Sequence, residues 1–394
     1  MMKDKKVAIV SCYFQHNYGS QLQAFATQQM LDDLGIKNYT IDNSGLDASV
    51  KGAKVKYYLS HITDYKIFAN KMGYVFSRLY QKINKPYGRK AAKRAKAFNS
   101  YIKKFRLTSK CSSYKELADY VEREYTDVLV GSDQLWLPSN IDADYYTLNW
   151  VPKEINKISY STSFGVSSLT DAYIVKTKAF LSRFQYISVR EESAVTIVEK
   201  AIGQKPEMVC DPTLLLDGNR WAAIVADQEL INKPYILCYL IGNNPEHRKF
   251  ARMLAEKTGC SIVSLPHMGK YKKVDKNYSD IEVFDAGPEE FVNLIRHANY
   301  ICTDSFHATV FSILNHKEFF TFMRFKEGKG STNTRIDSLF DIIDFDKRLV
   351  SDFGDIDKYL KNSIPYDKID TRLSLYREAS IDFLKKALGK NDTN

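Results

Sequence analysis

The chain has 394 residues, 44% of them hydrophobic and 13% aromatic, with 57 Lys and Arg against 47 Asp and Glu. That length exceeds one ordinary core and predicts two domains, and the apolar content excludes a disordered chain. No stretch approaches the roughly 20 uninterrupted apolar residues of a membrane-spanning helix, and the charged start with its short apolar run at 7–10 does not read as a secretory signal, so a cytoplasmic protein is expected.

The net charge of +10 is concentrated in one place. Residues 51–106 carry sixteen Lys or Arg and a single acid, Asp64, a segment charge of +15 that leaves about −5 for the rest. A general nucleic-acid binder does not segregate charge this way, and no nucleic-acid partner is expected. Six cysteines stand singly, four of them in strand-like runs, which reads as reduced, buried thiols. The seven histidines lack HxxxH or HExxH spacing, so no metal site is expected.

In chain order, residues 7–12 form a continuous apolar run suited to a central parallel strand. A polar loop, 13–20, leads into a helical pattern from Gln21 that ends near Gly35, and a second strand is predicted at 38–42. The basic segment 51–106, interleaved with Tyr and Phe, reads as one or two helices inserted into the first domain. Strands then follow at 127–130, 157–160, 186–189 and 207–210, separated by helices at 114–123, 173–183 and 192–200. After Asp211-Pro212 a second alternating set begins, with strands at 235–241, 261–265, 282–284, 300–303 and 318–323. Its helices are predicted at 247–258, 288–298, 305–314 and 334–343, with a last helix near 370–388. The expected organisation is an α/β protein of two doubly wound parallel sheets facing a cleft. The domains run 1–212 and 213–365, and the terminal segment 366–394 is free to pack back on the first.

Ligands of such sheets bind at the carboxyl ends of strands, so the loops there decide the function. Asn17 and Ser20, after the first strand, offer donors for an anion or substrate, or form a plain capped turn. Gly131-Ser132-Asp133-Gln134-Leu135-Trp136 places a small residue, a carboxylate and an indole after the third strand. Ser132, Asp133 and Trp136 there suit sugar binding, while Asp133 serves equally as a helix N-cap. Arg190, at the end of an apolar strand, is a bidentate clamp for carboxylate or phosphate, or the partner of Glu191 or Glu192 in a structural ion pair. His307 falls in the first turn of a helix capped by Ser305 or Asp304, where the positive end of the helix dipole favours bound anions. His61, His247, His267, His297 and His316 lack such a setting and read as structural. No GxxxxGK[ST] loop is present, which excludes a P-loop kinase.

Taken together, Asn17-Tyr18-Gly19-Ser20, the segments 130–136 and 161–165, Ser188-Val189-Arg190-Glu191, Cys210-Asp211-Pro212-Thr213 and Asp304-Ser305-Phe306-His307 resemble the polysaccharide pyruvyl transferase family. The resemblance runs from about Val7 to Ile343. It implies two Rossmann-like domains similar to glycosyltransferase-B enzymes, and transfer of pyruvyl from phosphoenolpyruvate to a sugar as a ketal. Arg190 and His307 fall at its donor-binding and catalytic positions. Ser20 replaces an Asp common in the family, and Ser305 replaces an Arg, which leaves Arg335, Lys326 or Lys329 to supply the missing cation.

Ketal formation needs a proton for the vinyl methylene, a cationic pocket for the donor and a base for the sugar hydroxyl. His307 suits the first role, Arg190 with the helix N-terminus the second and Asp133 the third, with no metal and no cofactor beyond the donor substrate. The acceptor is expected to be a surface polysaccharide sugar or its lipid-linked precursor. Segment 51–106 would then hold the enzyme peripherally at the inner membrane face, or form only a solvated face or an oligomer contact. The competing readings are a nucleotide-sugar glycosyltransferase and a non-catalytic glycan-binding relative.

Overall fold

The computed structural model describes residues 4–60, 79–80, 82–266, 272–324 and 334–390. Lys326, Lys329, His61 and His267 lie outside the described residues. The first sheet contains β1 (Lys6–Val10), β2 (Lys37–Thr40), β3 (Asp127–Val130), β4 (Asn156–Thr162), β5 (Tyr186–Val189) and β6 (Glu207–Met208) in the order β2-β1-β3-β4-β5-β6. The second contains β7 (Tyr235–Tyr239), β8 (Ser261–Ser264), β9 (Ile281–Glu282), β10 (Tyr300–Thr303), β11 (Glu318–Phe322) and β12 (Leu349–Val350) in the order β12-β11-β10-β7-β8-β9. All strand pairs in both are parallel.

The sequence explains this arrangement. Val7, Ala8, Ile9 and Val10, like Val128, Leu129 and Val130, are wholly covered, as runs of branched apolar residues must be when helices pack on both sheet faces. The strand orders give each sheet one switch point, between β1 and β3 in the first and between β7 and β10 in the second. At those points consecutive connections leave on opposite faces and open a crevice. Tyr18 stacks on Phe291 at 4.4 Å, and one apolar core runs through residues of both sheets. This contact sets the two switch points against each other.

Several boundaries differ from the sequence reading for local reasons. The first helix is Tyr18–Asp33, three residues longer at its start, because the Asn17 carboxamide accepts the Ser20 N–H and caps it there. The two-residue strand β12 has too little pattern to be read. Among the described residues the basic segment includes the helices Asp47–Ser60 and Lys85–Ile102, the latter opened by the Asn84 cap and Pro86. Residues 61–78 and 81 of that segment lie outside the described residues. The last helix, Tyr366–Ala387, returns to the first sheet, where Ser380 Oγ accepts the Cys210 N–H at 2.9 Å and Phe383 meets Tyr160.

Candidate active site

Every polar residue of the site comes from the carboxyl end of a strand or the first turn of the following helix. Ser20 lies on the helix after β1, Asp133 after β3, and Arg190 with Glu191 after β5. Asp211 follows β6, and His307 opens the helix Phe306–Leu314 after β10. Arg335, on the helix Thr334–Ile343, completes the cluster. The loop carrying Asp133 is held on β4: Ser163 N–H donates to the Asp133 carbonyl and Trp136 N–H to that of Ser163. A Cβ on Gly131 would meet the Tyr160 carbonyl at 1.9 Å, so only glycine permits this approach.

Arg190 is the hub. It is 3% exposed, and its Nη1 donates to Asp211 Oδ2 at 2.6 Å. Nη2 reaches Asp133 Oδ1 at 3.4 Å, and Nε lies 3.7 Å from Glu191 Oε2. Asp133 takes the Ser20 hydroxyl on its other oxygen at 2.9 Å and faces Arg335 Nη1 at 3.6 Å. Phe306 lies beneath both guanidinium groups, 5.0 Å from Arg190 Cζ and 5.9 Å from Arg335 Cζ, a cation–π support. The His307 ring is nearly covered. Its Nε2 has no hydrogen-bond partner and lies 3.6 Å from Asp211 Oδ2, while Gly19 packs on its Nδ1 edge.

These contacts set the charges. Burial alone would raise the Asp133 pKa, but Arg190, Arg335, His307 and the Ser20 hydroxyl outweigh it and bring it down to about 2. Burial works against ionised Asp211 too, and His307, Arg190 and Thr213 together hold its carboxyl well below the ordinary range. Glu191 is pushed up by burial, which Arg190 and Ser163 only partly offset. Arg335 is lowered to about 10 by burial and by Arg190 beside it. The site therefore stores two guanidinium groups and three carboxylates next to one imidazole, in a space where each charge depends on its neighbours. No group of three or more His, Cys, Asp or Glu side chains able to hold a metal occurs among the described residues.

The model of one protein family, polysaccharide pyruvyl transferase, matches residues 17–324, which include all of this site except Arg335. The chain belongs to the polysaccharide pyruvyl transferase family, and it is a transferase. No curated protein sequence matches it. Among solved structures, one from Listeria monocytogenes described as a UDP-N-acetylglucosamine 2-epimerase is 9% identical, with the match covering 100% of this chain and 99% of that one at a TM-score of 0.50. The UDP-GlcNAc 2-epimerase of Neisseria meningitidis is 12% identical over 97% of this chain and 100% of that one, at 0.48. MurG of Acinetobacter baumannii is 8% identical over 98% and 100%, at 0.43. The two parallel sheets and the Listeria likeness define the fold of the transferase as two Rossmann-like domains of the glycosyltransferase-B kind.

Of the residues singled out from the sequence, the transferase brings together Ser20, Asp133, Arg190, His307 and Arg335. Trp136 and Ser132 need correction. Trp136 is fully covered, its indole N–H donates to the Tyr146 carbonyl, and Phe164 and Phe180 pack on it, so no sugar can stack there. Ser132 is also fully covered, its hydroxyl donating to the Ser161 carbonyl at 2.7 Å. Asn17 caps the first helix with its carboxamide oxygen, and Ser305 caps the helix of His307, as the sequence predicts. Asp133 caps no helix: it sits at φ 80° in the left-handed region, which aims its carboxylate across the cleft. The fork of Arg190 is taken up by Asp211, Asp133 and Glu191, and its main partner is not one of the two glutamates named from the sequence. Asp211 and Gly19 lie within the motifs that carry the family resemblance, and the structure gives each a contact in the site. Asp-Pro after a strand signals a helix cap, which Asp211 provides with Oδ1, and only the fold reveals where Oδ2 points.

A core role for Trp136 has a measurable consequence. Trp136→Ala is expected to cost about 3–5 kcal/mol of stability by opening a cavity. Trp136→Phe is expected to leave the acceptor KM unchanged. Thermal unfolding alongside acceptor titration checks both, and a raised KM in the phenylalanine variant would restore the sugar-stacking reading.

Proposed function

We propose that this transferase moves a pyruvyl group from phosphoenolpyruvate to two hydroxyls of one sugar, in a surface polysaccharide or its lipid-linked precursor. The observation that carries the reading is the meeting of His307 and Asp211 with the guanidinium pair Arg190 and Arg335 where the two switch points face each other. An anionic donor needs those cations, and its vinyl carbon needs a proton source beside them.

In the proposed reaction the imidazolium of His307 gives a proton to the methylene carbon of the donor, making it a methyl group. The sugar's first hydroxyl attacks the neighbouring carbon, and a C–O bond forms as the hydroxyl proton passes to Asp133. The second hydroxyl then adds at the same carbon while its bond to phosphate oxygen breaks. The products are a cyclic ketal and inorganic phosphate, and the second hydroxyl proton leaves with phosphate or returns to His307. Asp211, fixed by Arg190 and Thr213, gives the charged imidazole a carboxylate partner.

Asp133 has a conditional role in this scheme. A carboxylate with a pKa near 2 is ionised but a weak base. Donor phosphate and carboxylate compete with Asp133 for Arg190 and Arg335, and drawing those cations away raises its basicity when a hydroxyl must lose its proton. The same exchange answers how a cluster already holding three carboxylates accepts an anion: the donor takes over the longer contacts, at 3.4 and 3.6 Å, and leaves the 2.6 Å pair with Asp211 intact.

Phosphate release from phosphoenolpyruvate in the presence of a glycan panel tests the proposal. Release that depends on one acceptor, with thermal stabilisation by phosphoenolpyruvate that Arg335→Ala removes, is the expected result. Stabilisation by nucleotide sugars alone would overturn it in favour of glycosyl transfer.

A further inference from the structure

We infer that the described residues of the basic insertion, 51–60, 79–80 and 82–106, form a docking surface for an anionic lipid bilayer. Six large apolar side chains are exposed among the described residues, and four of them, Val55, Leu59, Leu79 and Ile83, belong to the segment of +15 charge. Val55 and Leu59 are one helical turn apart on Asp47–Ser60, 51% and 65% exposed, while Tyr57 of the same turn is buried. Ile83 is 74% exposed and is followed by the helix that carries Lys85 and Arg89 on its outer side.

Exposed aliphatics set among lysines fit an interface that is apolar and negatively charged at once, which a bilayer containing anionic headgroups provides. A second copy of this chain is a poor occupant, since two such faces would bring like charges together. Nucleic acid would neutralise the lysines but leave the aliphatic side chains in water.

The helix Lys85–Ile102 of the insertion is tied to the segment that follows β9. Arg94, 5% exposed, donates through Nε to the Phe284 carbonyl at 2.9 Å and through Nη2 to that of Val283 at 2.7 Å. Its guanidinium carbon lies 5.4 Å from the ring of Tyr18, the neighbour of Gly19. A cavity of about 530 Å³ bounded by Tyr87, Lys90, Glu282 and Phe284 lies between this helix and β9. A bilayer engaged by these helices would therefore sit on the side of the molecule where Arg94 meets Tyr18.

Co-sedimentation of the full chain with vesicles of phosphatidylcholine, with and without phosphatidylglycerol at about equal parts, tests the inference. Binding is expected only with phosphatidylglycerol and is expected to weaken as salt shortens the screening length. Replacing Lys56, Lys82 and Lys85 with Gln should weaken partitioning about fivefold per lysine, on the order of a hundredfold together. Val55→Asp with Leu59→Asp should reduce it at least tenfold, with unchanged thermal unfolding showing that the fold survives. Equal binding to neutral vesicles, insensitivity to salt, or full binding by both variants overturns the inference. So does a change in oligomeric state of the aspartate variant with vesicle binding intact, which would identify the face as a contact between copies.

Discussion

Arg190→Met is expected to destabilise the transferase by about 3–5 kcal/mol at neutral pH, the cost of leaving buried carboxylates without their cation. The residue pairs with Asp211, Asp133 and Glu191 at almost no solvent exposure, so water cannot replace it. The loss should depend on pH. Asp133 and Asp211 carry lowered pKa values in the folded chain, so the stability they contribute is present above the unfolded carboxylate value of about 4 and is lost as pH falls through their folded values. Glu191 acts in the opposite sense. Its raised pKa contributes stability below about pH 4 that is lost as pH rises through the folded value, so it limits the gain from the other two. Without Arg190, burial is no longer outweighed and ionised carboxylates become a penalty. The gap between wild type and variant should therefore be widest at neutral pH and narrow as pH drops below about 4. Denaturant melts from pH 7 to pH 3 measure this, and a gap independent of pH would remove the electrostatic explanation. Adding Asp211→Asn to the variant should return part of the stability, because one uncompensated charge is then gone.

The architecture was legible because alternating apolar runs and helical patterns follow from packing on both faces of a parallel sheet, and the strand-end rule then pointed to the loops carrying Asp133, Arg190 and His307. What the sequence could not reveal were the partners. An indole after a strand looks the same whether it faces a sugar or the core, and Trp136 is core because Phe164 and Phe180 close over it. Arg335 lies 28 residues beyond His307 on another helix, and only the tertiary fold brings it beside Arg190 and Asp133. Asp211 satisfies a local capping pattern with one oxygen and the site with the other, so local sequence accounts for half of it. Gly19 resembles any small residue in a first helical turn until His307, from the other sheet, is placed against it.

That contact leads to the second large effect: on the proposed mechanism Gly19→Ala is expected to lower kcat about a hundredfold or more, with a stability loss of about 1–3 kcal/mol from overpacking. An alanine Cβ at this position would stand 1.9 Å from His307 Nδ1 and 2.3 Å from Cγ, where carbon contacts need about 3.5 Å. Gly19 lies in the helix Tyr18–Asp33 with no positive φ, so alanine favours the helix itself by up to about 1 kcal/mol and the harm falls on the neighbour. Relief requires the imidazole to turn or the facing elements to separate, and either movement takes the ring out of register with Asp211. Misplacement of about 1 Å is enough for a hundredfold loss. On the proposed mechanism His307→Asn should remove the proton donor, at about 10²- to 10⁴-fold in turnover. Two changes acting through one group do not add, so Gly19→Ala in the His307→Asn background should cost little more activity than His307→Asn alone. Steady-state kinetics on the two single variants and the double variant resolve the cycle. Multiplying losses would mean that Gly19 acts through something other than the imidazole.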